Sequence, residues 1–135
     1  MNDELQRAFE ETHFIVHHQP SFTLRIGQSS PELDTLLQET DNNCAAFITA
    51  WNPMCQALSD AENQSRQQSL MDAIDRRGLL YHPGIGQHPS NGWPGEESVL
   101  VLGLQLEAAR SLAREWGQLA FVWVEREHPV ELIQT

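Results

Sequence analysis

The chain has 135 residues, of which 40% are hydrophobic and 20% are charged, as in a soluble globular protein. Nineteen Asp and Glu stand against eight Arg and no Lys, a formal net charge of -11. Such a surface repels the phosphates of nucleic acids and of anionic lipids, so neither nucleic acid nor membrane is an expected partner. The two cysteines, Cys44 and Cys55, exclude a disulfide-rich framework and match no zinc motif.

The N-terminus and the lengths of the apolar runs indicate the cellular compartment of the protein. Residues 1–4 are acidic and precede no apolar stretch of the kind found in a signal peptide. No apolar run approaches the ~20 residues of a membrane span. We therefore expect a cytoplasmic protein in which residues 1–135 form one domain.

Residues 1–43 predict an N-terminal extension of helix, strand, strand and helix. The predicted elements are a helix over residues 3–11, strands over 14–16 and 22–26, and a helix over 31–37. In the first helix, Leu5, Ala8 and Phe9 share one face. Ser30 and Pro31 are typical of the N-cap and first position of the second helix.

Residues 44–125 predict the core of the fold. The predicted elements are strand 44–51, helix 59–77, strand 79–81, strand 98–104, helix 106–116 and strand 119–124. This order is that of the ferredoxin-like βαββαβ pattern, so we predict an α/β (α+β) fold with a mixed sheet and N-terminal additions. Residues 126–135 are expected to form a C-terminal edge strand or a tail.

Three of the core strands are continuously apolar, which indicates that both faces of the sheet are covered. The N-terminal extension can cover the second face and give a three-layer sandwich, the arrangement we favour. A second copy of the chain is the alternative, so a homodimer stays open.

A buried strand and a polar helix start meet between residues 45 and 69. The apolar run ends at Asn52-Pro53, Ser59 and Glu62 have the spacing of a capping box, and the residues from Asn63 onward are polar. In open α/β sheets, ligands bind where strands end. The predicted ligand-binding residues are Thr49, Asn52, Asn63, Arg66, Trp93 and Glu97.

A purely structural interpretation of the same residues stays open. Asn52 is also typical of a turn, Ser59 and Glu62 of a helix cap, and Arg66 of a surface pair with Glu62 at spacing i,i+4. Under the binding hypothesis, Arg66 holds an anion.

Residues 82–95 contain three Pro and four Gly, which predicts a long loop, and long loops are often functional. His82 and His88 in this segment, with Glu96 and Glu97 after it, match no strong metal motif. No metal and no cofactor is therefore expected. A nucleophile–base pair of Cys55 and His82 is a further, weaker hypothesis.

Four segments of the chain resemble a family of small bacterial proteins classed only as a domain of unknown function. The segments are Ala46-Phe-Ile-Thr-Ala-Trp-Asn-Pro53, Leu58-Ser-Asp-Ala-Glu-Asn63, Trp93-Pro-Gly-Glu-Glu-Ser98 and Ala113-Arg-Glu-Trp-Gly-Gln-Leu-Ala-Phe-Val-Trp123. The resemblance spans about residues 20–125. It implies a bacterial, cytosolic, single-domain protein, and it implies no activity, cofactor or catalytic residue.

Three functions stay open, with catalytic residues unknown. The first is a small acidic binding module that holds a small molecule or a protein partner. The second is an enzyme for a small polar or anionic substrate, with Glu97 or His82 as acid or base and Arg66 as an electrostatic clamp. The third is a polyanion mimic. A strongly perturbed carboxyl or His pKa inside a concave pocket favours the enzyme, and solvated side chains favour the module.

Overall fold

A computed structural model describes residues 1–90 and 92–135. The described helices are α1 (Asp3–Glu11), α2 (Pro31–Glu39), α3 (Asp60–Arg76) and α4 (Leu106–Glu115). The described strands are β1 (His13–Val16), β2 (Phe22–Leu24), β3 (Cys44–Ile48), β4 (Tyr81–Gln87), β5 (Glu96–Leu102), β6 (Ala120–Glu125) and β7 (Glu131–Gln134). None of the described helices has the length and apolar character that a membrane crossing requires.

The strands form one seven-stranded sheet in the order β2-β1-β4-β5-β3-β6-β7. Every pairing is antiparallel, so the prediction of a mixed sheet was wrong. The reason lies in the connections. Helix α3 links β3 to β4, which run in the same direction, but β5 lies between them and pairs with both in antiparallel fashion.

Helices cover both faces of the sheet. Alternate strand residues point to opposite sides, so each face has its own apolar cluster. On one face, Phe47 and Leu100 pack against the leucines of α2 and against Phe9 of α1. On the other, Ala46 and Val101 pack against α3 and α4. The prediction that the N-terminal extension covers the second face is therefore confirmed.

Strand β4 occupies residues that the sequence predicts to be a loop, and that prediction was wrong for residues 82–87. Packing explains why position 84 of this strand is glycine. A Cβ on Gly84 would lie 2.9 Å from the Phe47 ring and against the Ile15 carbonyl, so only glycine fits between these neighbours. Tertiary contacts override the low strand propensity of Pro83 and Gly84.

Candidate functional site

After β3 the chain leaves the sheet, and the backbone groups of Ala50 and Trp51 form hydrogen bonds with side chains instead of with a neighbouring strand. The Ala50 N–H donates to Gln67 Oε1 at 3.0 Å, and the Ala50 carbonyl accepts from Arg66 Nε at 2.9 Å. The Trp51 carbonyl accepts from Gln118 Nε2 at 3.2 Å. Buried backbone groups require such partners, and here helix α3 and the loop between α4 and β6 supply what a neighbouring strand would otherwise give.

Asn52 and Asn63 form a reciprocal pair at the same place. The Asn52 N–H donates to Asn63 Oδ1 at 2.8 Å, and Asn63 Nδ2 donates to Asn52 Oδ1 at 2.7 Å. The same Asn52 oxygen accepts from the Leu58 N–H at 3.0 Å. Asn63 is 1% exposed, and Asn52 adopts a left-handed φ of 43° that asparagine tolerates well. The pair closes the loop between β3 and α3. We call these two residues, with Arg66, Gln67 and Gln118, the strand-end network.

Arg66 is committed to this network. Besides the Ala50 carbonyl, its guanidinium donates through Nη2 to the Trp116 carbonyl at 2.7 Å and stacks 5.7 Å from the centre of the Trp116 ring. Trp116 is the C-cap of α4, where a cation is favoured by the helix dipole. The expected surface pair with Glu62 is absent from the described contacts, because Glu62 completes the predicted capping box with Ser59. The anion-binding hypothesis for Arg66 gains no support from this arrangement.

A cavity of about 510 Å³, which we call the α1 pocket, lies between α1 and the sheet. Helix α1 contributes Leu5, Ala8 and Phe9, which share one face, and its C-cap residue Thr12 also lines the cavity. The strands contribute Phe14, Phe47, Gly86, Glu96, Ser98 and Val122. The loop between β3 and α3 contributes Trp51, Asn52, Cys55, Ala57 and Leu58. Most of these side chains are apolar, and Trp93 lies at the rim with 64% of its surface exposed.

Two carboxyl side chains line the α1 pocket, the exposed Asp60 and the more deeply placed Glu96. Within the described part of the chain, no hydrogen-bond donor or cation reaches the Glu96 carboxyl group. Burial in these apolar surroundings raises the pKa of Glu96 from 4.5 to about 7. Its neighbour Glu97 is exposed and does not line the pocket, because successive strand residues point to opposite sides.

Cys55 lies in a strained part of the pocket wall. Met54 and Cys55 have left-handed φ values of 56° and 58°, which cost energy in residues other than glycine. Burial raises the pKa of the Cys55 thiol, and the negative charge of Glu96 raises it further. A thiol held in its protonated form is a poor nucleophile.

The histidines of the 82–95 segment lie in different places. The ring of His82 contacts that of His18 with the ring centres 5.0 Å apart, outside the α1 pocket, and burial lowers the His82 pKa. His88 lines the pocket and its Nε2 lies 3.0 Å from Glu11 Oε1 at the end of α1. No group of three metal-ligating side chains occurs among the described residues. The arrangement therefore supports neither a shared His82–His88 metal site nor a Cys55–His82 pair.

The structure brings four of the six predicted ligand-binding residues to the α1 pocket. Thr49, Asn52, Asn63 and Trp93 line it, whereas Arg66 and Glu97 do not. Thr49 donates to the Glu97 carbonyl at 2.6 Å, which joins β3 to β5 beside the pocket. Sequence reasoning considered Glu96 only beside Glu97, as a possible metal ligand, and did not include it among the ligand-binding residues. It also missed the role of α1 as a wall. The stripe of α1 was visible, but the surface that it faces was not.

Comparison with known proteins gives one match. The family described as "Protein of unknown function (DUF3293)" matches residues 48–121, more than half of the chain. No curated protein and no solved structure matches the chain. The matched span contains the strand-end network and Glu96, and α1 lies outside it. The chain belongs to this family of proteins of unknown function.

Proposed function

We propose that this protein binds a small, mainly apolar molecule in the α1 pocket, with Glu96 as the polar group that orients it. The observation that carries the proposal is a cavity of about 510 Å³ with mostly apolar walls and the carboxyl of Glu96, which has no partner among the described residues. Pockets for small molecules typically measure about 300–1,000 Å³ and place a few polar groups in apolar walls.

The strand-end network supports this proposal by holding one wall of the pocket. Asn52 and Asn63 line the cavity while their amide groups bind each other and the loop. A wall fixed in this way does not have to be ordered when a ligand arrives, so less binding free energy is lost. Fixed walls are what a binding site requires.

An enzyme is the second candidate, and a specific observation favours it. The pKa of Glu96 is raised to about 7 inside a concave pocket, so its acid and carboxylate forms are both populated near neutral pH. A group in this state can act as a general acid or a general base. Among the residues that the sequence offers for that role, Glu96 replaces Glu97 and His82, since neither of those lines the pocket.

We also propose a ferredoxin-like core. Strands β4, β5, β3 and β6 are consecutive in the sheet. The unit β3-α3-β4 encloses β5, and the unit β5-α4-β6 encloses β3. Two interleaved units of this kind support a split βαβ arrangement. In this arrangement α3 and α4 lie on one face and leave the other to the N-terminal helices.

The binding proposal is tested by screening a fragment library against isotope-labelled protein and following the backbone amide signals. We expect some fragments to shift the signals of Phe9, Gly86 and Glu96 together. Gly86→Val should abolish these shifts, because its side chain would enter the cavity, and Glu97→Gln should keep them. A library without any fragment that perturbs the pocket signals would overturn the proposal.

A further inference from the structure

We infer that the α1 pocket selects cationic ligands, namely small apolar amines whose protonated nitrogen lies against Glu96, and that it excludes carboxylates and phosphates. This inference rests on the proposed function and names its ligand class. It replaces the expectation of an anionic substrate, which depended on Arg66.

The charges around the cavity carry the inference. Among the described residues that line the pocket, Glu96 and Asp60 are acidic and none is Arg, while the chain has no Lys. His88, which also lines it, already lies 3.0 Å from Glu11. The nearby guanidinium of Arg66 donates to two backbone carbonyls instead. An anion entering this pocket would lose its hydration without meeting a positive charge, which is strongly unfavourable.

The aromatic walls favour the same class of ligand. Phe9, Phe14 and Phe47 line the interior, and Trp93 lies at the rim. The face of an aromatic ring attracts a cation within about 6 Å, and the attraction grows when water is excluded. An amine with an apolar body therefore gains from the walls and from the carboxylate. An alcohol of the same shape gains from the apolar walls and from a hydrogen bond to the carboxylate, but it carries no positive charge to attract the carboxylate or the rings.

The free carboxyl also links amine binding to pH. Burial holds the pKa of Glu96 near 7, and an amine binds the ionised form. The other titratable groups at the cavity are Asp60, Cys55 and His88, and the two acidic ones add negative charge if they ionise. Binding an amine should therefore release protons near neutral pH. Its affinity should rise roughly tenfold from pH 6 to pH 8 as the binding-competent form becomes populated.

Three probes with one aromatic body test the ligand class. They are 2-phenylethylamine, 2-phenylethanol and 3-phenylpropanoate, titrated calorimetrically into the full chain at pH 6 and pH 8. At pH 8 we expect the amine to bind at least roughly tenfold more tightly than the alcohol, and the acid to give no heat of binding. Repeating the amine titration in two buffers of different ionisation enthalpy measures the released protons.

Matched variants assign the effect to one carboxyl. Glu96→Gln should remove the preference for the amine and leave alcohol binding unchanged, whereas Glu97→Gln should bind as the wild type does. The pH dependence in the wild-type protein provides the same test if Glu96→Gln fails to fold. Alcohol or acid binding as tightly as the amine would overturn the charge selectivity and leave the proposed function standing. If none of the probes binds, the inferred preference for amines is overturned, and the fragment screen decides whether the proposed function fails with it.

Discussion

The strand-end network and the α1 pocket lie on two sides of the same residues, Asn52 and Asn63, and they use polar groups in opposite ways. In the network, amide and guanidinium groups bind backbone groups and, in the Asn52–Asn63 pair, each other at 2.7–3.2 Å, although Gln67 Nε2 is buried without a partner among the described residues. In the pocket, Glu96 has no such partner among the described residues, and burial raises its pKa to about 7. The network holds the chain after β3 in place, and the pocket has hydrogen-bonding capacity that a ligand can use.

This difference teaches how to assign roles to polar residues near a strand end. Burial alone does not mark a functional residue, since Asn63 is 1% exposed and serves the backbone. A buried polar group with its partners present contributes to the stability of the fold, whereas one without partners lowers that stability. Such a group is therefore a candidate for a functional role. Arg25 Nε, Gln67 Nε2 and Trp116 Nε1 are also buried without a partner among the described residues, but none of these side chains lines the α1 pocket. Glu96 does line it, so Glu96, rather than Arg66, is the residue for which a ligand should be sought.

Breaking the network should have the largest effect. We expect Asn63→Ala to destabilise the protein by about 4 kcal/mol, because it removes a buried side chain, leaves the part-buried N–H of Asn52 unpaired and takes away the donor to Asn52 Oδ1. Urea unfolding followed by circular dichroism measures the change. Gln64→Ala, on the exposed side of the same helix, is the control and should change stability by less than about 0.5 kcal/mol. Equal effects of the two variants would show that the network is not structural.

Local sequence signals predicted much of the fold. The capping box of Ser59 and Glu62 fixes the start of α3, and Ser30 with Pro31 fixes that of α2. Continuous apolar strands indicated that both faces of the sheet are covered, and α2 covers the second. These features depend on residues close together in sequence or on one periodic pattern, which a single chain reveals.

The remaining features depend on contacts between distant parts of the chain. Arg66 binds the Trp116 carbonyl, 50 residues away, so its spacing to Glu62 suggested the wrong partner. Strand alternation shows that Glu96 and Glu97 point to opposite sides. Which of them enters the pocket depends on where α1 packs. No local pattern carries that information.

The two glycines of β4 lie in different surroundings, since Gly84 is closely packed and Gly86 borders the α1 pocket. Gly84→Ala should destabilise the protein by about 3 kcal/mol, since its Cβ would clash with the Ile15 carbonyl and the Phe47 ring. Gly86 borders the pocket, and a Cβ there would lie 3.6 Å from the Phe14 ring, an ordinary contact. Gly86→Ala should therefore leave the free energy of unfolding nearly unchanged. If both variants prove equally stable in urea, the assignment of β4 packing is wrong.

The raised pKa of Glu96 predicts how stability varies with pH. Below about pH 4.5 the carboxyl is protonated in both the folded and the unfolded chain, and its contribution to stability is fully present. As the pH rises toward about 7, the unfolded chain ionises first, so this contribution is lost. Glu96→Gln removes the titration, so its stability relative to the wild type should rise by about 3 kcal/mol between pH 4.5 and pH 8.

The measurement for Glu96 is a series of urea unfolding curves across this pH range for the wild type and the variant. The difference between the two proteins cancels the titration of all other groups. Glu97→Gln, at the exposed neighbour, should follow the wild type. A constant difference between the wild type and Glu96→Gln at every pH would contradict the buried, unpaired carboxyl.

The smallest expected change separates geometry from charge at Arg66. Arg66→Lys keeps the positive charge near the end of α4, but an ammonium group cannot reach the Ala50 and Trp116 carbonyls in the same fixed geometry. We expect a loss of about 1 kcal/mol in urea unfolding, and none for Arg76→Lys at an exposed site on the same helix. Amine binding should be nearly unchanged in Arg66→Lys, because the guanidinium does not line the pocket. A large loss of binding with little loss of stability would instead make Arg66 part of the ligand site and remove the contrast between the network and the pocket.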